Sequence, residues 1–412
     1  MTISESFLDH YKLSVGPTNE FGSLAETKTT PKNVGWTLGN DCPFKCTHCY
    51  SMNARLKGKD LSTWMVDRVV RELFDIGVET VNLGGNEPIF TNGLNANKTL
   101  LPYVIHSLYS AGIKVGLTTS GISAIRLHAE HKESFLLLND IDISFDSPFP
   151  EEHNANRGAR IFEHAITALC LSQEAGIPRT VILAAMNWNF SQKHIHGLYD
   201  LATRHNSDIR INPLKPVLPE HFDLALSAEM YYEGFALLME LCDTLELGEP
   251  PLAAVTGRQT SNRCPCGRSS FRIHSITPEG RIHVSPCVYL HDYKSELDLL
   301  EDGLNKILES PQFKVFRQRN LNPSHISGCK GCSLITTCGG GCAARAYLYA
   351  LHSPEGKRTF RAKDPYCPKE VKPTSTFPNT PLIATSQRLV HMDYLCTWIG
   401  RPKYANAIYS ET

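Results

Sequence analysis

The chain has 412 residues, enough for two or three domains and a sizeable core. Its net charge of −1 lacks the basic excess of a nucleic-acid binder. No apolar run approaches the roughly 18 residues that span a membrane, and the opening "MTISESFLDHYKLSVG" lacks the basic flank and apolar stretch of a secretory signal, so the expectation is a cytoplasmic protein.

From residue 34 the chain alternates. "VGWTL" (34–38) is an expected strand, followed by a helix over 62–77. Met65, Val66, Val69, Val70, Leu73 and Phe74 recur there at helical spacing. Strands are expected at 79–83, 113–119, 141–145, 179–186 and 208–212. Helices fall between them near 98–111, 122–133, 160–175 and 192–204. Repeated β/α units imply parallel strands with crossover helices, but their order alone does not separate an open sheet from a barrel. The pattern then changes. Residues 227–248 read as one long helix that bridges to a Cys-, Gly- and Pro-rich region at 258–370. Such a region suits a small domain stapled by metal. A tail, 371–412, ends in an expected helix around "QRLVHMDYLCTWIG".

The 14 cysteines are unevenly spread. Without a secretory signal they point to metal binding or catalysis rather than disulfides. Cys42, Cys46 and Cys49 share one loop at CxxxCxxC spacing. Eight more lie between 264 and 367, and Cys170, Cys242 and Cys396 stand apart. Three thiolates on one loop suit a [4Fe–4S] cube with one iron left open. A structural zinc would need a fourth ligand, for which His48 is at hand.

CxxxCxxC after the first strand of a β/α array resembles the radical S-adenosylmethionine superfamily. The resemblance implies a partial (β/α)6 barrel over about 34–225, preceded by an extension, 1–33. It also implies that S-adenosylmethionine chelates the open iron and is cleaved reductively to a 5′-deoxyadenosyl radical. Further stretches resemble family features at the ends of successive strands. "GGNEP" (84–88) is similar to the Gly-Gly-Glu-Pro turn that holds the methionine amino group. It would bring Gly84, Gly85 and Glu87 to the ligand, although Asn86 is an extra residue inside the motif. "TTSG" supplies Ser120, and "DISFDSP" supplies Ser144 and Asp146. "HNANRG" (153–158) offers Arg157 to the methionine carboxylate. His48 takes the position where the family often has an aromatic near the adenine.

"CKGCSLITTCGGGC" (329–342), with Cys264, Cys266, Gly280 and Cys287 before it and Cys367 after it, resembles the SPASM domain. That resemblance implies two auxiliary [4Fe–4S] clusters. One would use Cys287 and Cys342, with both Cys264 and Cys266 available. The other would use Cys329, Cys332, Cys338 and Cys367. It also implies a ribosomally made precursor peptide as substrate, with crosslinking, epimerisation or backbone excision as the outcome. About 33 residues precede the first strand, fewer than the leader-gripping domain of many relatives. The expectation is therefore a separate leader-binding protein, beside an external flavodoxin- or ferredoxin-type electron donor. Epimerisation would need a hydrogen donor, and Cys396 is the candidate. The alternatives are a sulfatase-maturase-like enzyme forming formylglycine and a non-catalytic iron–sulfur electron-transfer protein.

Overall fold

The computed structural model describes residue 21 and residues 31–51, 58–258, 264–379, 382–385 and 387–403. Most of the expected N-terminal extension lies outside these residues. Six strands, β1 (Asn33–Trp36), β2 (Thr80–Leu83), β3 (Lys114–Thr119), β4 (Asp140–Ser144), β5 (Arg179–Ala185) and β6 (Asp208–Pro213), pair in parallel in chain order. Their residues are almost all buried, as expected when helices cover one face of a parallel sheet and a filled interior covers the other.

The helix Thr63–Asp75 shows how local sequence sets these units. Ser62 caps it by accepting from the Met65 amide, and Val66, Val69, Val70 and Leu73 face the core. Phe74, expected on that face, is 62% exposed. It sits next to Leu73 in the last turn, rotated about 100° from it and off the apolar stripe.

Four more strands widen the sheet to ten, in the order β7-β10-β6-β5-β4-β3-β2-β1-β8-β9. β8 (Ser270–Ile273) belongs to the Cys-rich region and lies parallel to β1, with β9 (Val284–Ser285) antiparallel beyond it. At the other edge β10 (Trp398–Pro402) runs antiparallel between β6 and β7 (Cys242–Leu247). The sheet is not closed.

Two expectations fail here. The helix over 227–248 ends at Leu241 and the chain turns into β7. "CDTLEL" alternates in burial and pairs with β10, a partner from far along the chain that local periodicity cannot reveal. The tail segment expected to be helical is instead a run of turns over 390–394 that leads into β10. It is buried on all sides, so its apolar residues carry no diagnostic period. It is tied to the barrel and to the Cys-rich region alike. The Val390 amide donates to Asp140 at 2.9 Å, and the Tyr394 carbonyl accepts from Ser270 at 2.8 Å. His391 lies 3.4 Å from Asp140 and 3.2 Å from Asp142. Gly116 makes room for the tail, because a Cβ there would meet the Val390 side chain at 2.8 Å.

Trp398 is wholly buried where β10 joins the sheet. Trp398→Ala is expected to cost about 3–5 kcal/mol in urea unfolding, as for other large-to-small changes in a core. An exposed tail would show almost no loss.

Candidate active site

The loop after β1 carries Cys42, Cys46 and Cys49, which line one cavity of about 170 Å³ that opens to solvent. Burial, opposed by Arg157, pushes the free Cys46 thiol up to about 12. Iron ligation would have to replace that proton. His48 is poorly placed to complete a zinc site. Its Nδ1 lies 2.9 Å from the Asn156 amide nitrogen and its Nε2 lies 3.6 Å from Asp146, so both nitrogens face other groups.

The same cavity is lined by Gly85, Asn86, Glu87, Ser120, Ser144, Asp146 and Arg157. Gly85 has φ +100°, and a Cβ there would collide with the Arg272 guanidinium and Thr37. Glycine is thus required by both conformation and space. Gly84 presents its carbonyl to Arg272, which reaches across from β8. Asn86, the extra residue of the motif, donates to the carbonyls of Asp41 and Phe90, each at 3.1 Å. It thereby ties the cysteine loop to this turn.

Glu87 is buried and heavily used by protein groups. It accepts from the amide and hydroxyl of Ser120 at 2.9 and 2.6 Å, from those of Ser123 at 2.9 and 2.6 Å, and from Thr119. It braces the turn after β3, and Ser120 spends its hydroxyl proton on it.

Asp146 and Arg157 form a buried pair, with Arg157 Nε 2.6 Å and Nη2 2.7 Å from the carboxylate. Arg157 ends the helix Pro150–Arg157, which Gly158 stops with φ 62°. Asn156 also donates to Asp146, at 2.8 Å. Burial alone would raise the Asp146 carboxyl, but Arg157, His48 and His153 hold it well below the usual carboxylate range. The pair's contribution to stability is therefore complete above the ordinary carboxylate pKa and is lost only as the solution becomes strongly acid.

Sequence reasoning missed Asn156, Ser123, Arg272, Lys215 and Tyr289. Lys215 and Tyr289 line one wall of the cavity, with Lys215 Nζ 5.1 Å from the Tyr289 ring and that ring 5.3 Å from Tyr50 of the cysteine loop. Lys215 follows β6 directly, so the rule that ligands gather beyond strand C-termini would have found it. Tyr289 and Arg272 had no such signal, because they come from the Cys-rich region.

Beyond this wall the other thiols gather in two groups. Cys264 contacts Cys266 and Cys342, and Cys266 contacts Cys287. Cys329, Cys332, Cys338 and Cys367 lie close together around the short helix Ile335–Cys338. Among the described residues no cysteine is in a disulfide. Cys396 does not line the cavity. It stands among the first of these groups, beside Cys264 and Cys342. Cys242 is buried in β7, and Cys170 lies 3.9 Å from His205, both apart from the thiol groups.

A sheet of parallel β/α units with three thiols at its mouth, followed by eight more cysteines, matches known families in that order. Residues 36–202 match the radical SAM superfamily, and residues 264–333 match SPASM, an iron–sulfur cluster-binding domain. The chain is a radical SAM enzyme with a C-terminal SPASM domain. It is 25% identical over 339 residues to mycofactocin maturase MftC of Mycobacterium tuberculosis, covering 78% of this chain and 80% of that protein. The Mycolicibacterium smegmatis MftC is 26% identical over 332 residues, with the same coverage. Among solved structures, Streptococcus suis SuiB bound to S-adenosylmethionine has a TM-score of 0.60 at 16% identity, covering 82% of this chain and 77% of that one. The structure of anSMEcpe with bound AdoMet also scores 0.60 at 16% identity, covering 82% and 95%. These two likenesses concern the fold.

Asp146→Ala would leave Arg157 buried without its partner. The expected cost is about 3–5 kcal/mol in urea unfolding at neutral pH. A loss below about 1 kcal/mol, the range of exposed pairs, would contradict the buried pair.

Proposed function

We propose that the chain is a radical SAM peptide maturase that abstracts hydrogen from a ribosomally made precursor peptide. One observation carries this best. The three loop thiols share a single cavity with the Asp146–Arg157 pair, and part of its wall is built by Lys215 and by Tyr289 of the SPASM domain. Similarity to a mycofactocin maturase, and to the fold of SuiB, which has been solved with its precursor peptide SuiA, supports a peptide substrate.

A [4Fe–4S] cluster bound by Cys42, Cys46 and Cys49 would supply the electron that cleaves S-adenosylmethionine to the 5′-deoxyadenosyl radical. The chain's own residues hold and orient. Arg157, fixed by Asp146 and Asn156, presents a permanent positive charge to the cavity for a carboxylate. Gly85 lets the turn after β2 pack against Arg272 and Thr37 while it lines the cavity. Glu87 locks Ser120 and the β3 turn, and Ser144 and His48 line the same space. The SPASM thiols would hold two further [4Fe–4S] clusters able to accept electrons during crosslinking. Electrons would enter from a flavodoxin- or ferredoxin-type donor.

The test is anaerobic reconstitution followed by reduction with dithionite in the presence of S-adenosylmethionine. About twelve irons per chain are expected, falling to about eight in Cys42→Ala/Cys46→Ala/Cys49→Ala with complete loss of 5′-deoxyadenosine. Undiminished 5′-deoxyadenosine in the triple variant would overturn the assignment. Candidate precursor peptides would then be incubated with the wild type, with and without leader-binding proteins. Loss of a hydrogen pair marks crosslinking, unchanged mass with altered chirality marks epimerisation, and loss of a fragment marks excision. No change in any precursor, with S-adenosylmethionine still cleaved, would overturn the peptide substrate alone.

A further inference from the structure

We propose that Cys396, from the tail that follows the SPASM domain, is an iron ligand of the first auxiliary cluster, together with Cys287, Cys342 and one member of the Cys264/Cys266 pair. The inference rests on the SPASM region holding iron–sulfur clusters, as proposed above.

Five thiols converge at this place, not four. Cys396 contacts Cys264 and Cys342, Cys264 also contacts Cys266, and Cys266 contacts Cys287. All five are buried in one apolar shell with Tyr289, Tyr293 and Tyr394. A cube with every iron held by protein needs four thiolates. Cys264 and Cys266 are separated by a single proline, so the pair is cramped as two corners of one cube.

The backbone holds Cys396 in place. Lys215 Nζ donates to its carbonyl at 3.1 Å, and the Gly248 amide donates to the Thr397 carbonyl at 2.8 Å. Two residues earlier, Ser270 of the SPASM strand β8 holds the Tyr394 carbonyl. The thiol is thus fixed from the barrel side and from the SPASM side. Cys242 shows what a merely space-filling cysteine looks like in this chain: buried in a strand, apart from the thiol groups.

With Cys396 as the fourth corner, protein thiolates close the cluster and no iron is left for substrate. The remaining member of the Cys264/Cys266 pair is then a spare. That redundancy makes the idea testable by combining substitutions.

The parent would be the Cys42→Ala/Cys46→Ala/Cys49→Ala protein, which isolates the auxiliary sites, reconstituted without oxygen. Iron is counted, and the [3Fe–4S] EPR signal is recorded after mild ferricyanide oxidation, which reports a corner without a thiolate. Adding Cys266→Ala alone is expected to leave about eight irons and no new signal, because Cys264 and Cys396 still complete the four corners, whereas Cys396→Ala alone is expected to give the [3Fe–4S] signal, because the cramped Cys264/Cys266 pair fills only one corner. The double variant is expected to drop toward four irons or to give the [3Fe–4S] signal. Cys264→Ala in place of Cys266→Ala should behave in the same way. If Cys266→Ala alone already gives the signal and Cys396→Ala adds nothing to it, Cys264 and Cys266 are both ligands and the proposal is overturned. Should the alanine at 396 prevent folding, Cys396→Ser keeps the shape of the site and is read identically. A parent that holds no iron overturns the cluster assignment itself, and this inference with it.

Discussion

One buried charge network joins the halves of this molecule. Lys215, just past β6, lies 3.4 Å from Glu249. Glu249 accepts from Arg345 at 2.9 Å, and Arg345 reaches Asp364 at 2.8 Å. Asp364 in turn accepts from the Cys342 amide at 2.7 Å. Two cations balance two anions, all nearly inaccessible to water, with Tyr231 and Tyr366 rings beside the guanidinium. Such a chain is tolerated in low dielectric only while every member is paired, so its geometry is all-or-none. It runs from the cavity wall to a cysteine of the SPASM domain. The position of that domain over the barrel mouth is therefore set by electrostatics as much as by apolar packing.

The two sites share material across this seam. Arg272 comes from the SPASM strand β8 yet holds the Gly84 carbonyl and blocks any side chain at Gly85. Tyr289 comes from the same region yet lines the cavity with the loop thiols. The barrel on its own would have a turn after β2 without its brace and a cavity without the part of its wall that Tyr289 supplies.

Much of the barrel was legible because each β/α unit is written locally. Capping at Ser62, the valine spacing of the first helix and the glycine at 158 are all short-range signals. The cysteine loop and "GGNEP" were legible for the same reason. What was illegible depends on distant partners. "CDTLEL" looks helical in isolation because Leu245 and Leu247 continue the preceding spacing, and only β10 makes it a strand. The tail's apolar residues are buried from every direction, so they match any period. Lys215 and Tyr289 matter through the seam between domains, which no local pattern describes. Glu87 was legible as a residue of the site but not in its bonding, because its partners Thr119, Ser120 and Ser123 lie more than thirty positions away.

The place of β10 bears on how the chain is made. It sits between β6 and β7, although these leave the ribosome about 190 and about 155 residues earlier. Until residues near 400 have been made, those two strands each present an open edge of backbone donors and acceptors, the template on which foreign strands add. Insertion of β10 into the slot between them is a non-local closure, the kind of pairing that forms late and slowly. Newly made chains pass through an aggregation-exposed interval that ends only when residues near 400 arrive. Expression at lower temperature and slower synthesis should favour recovery of native protein for that reason, independently of iron supply.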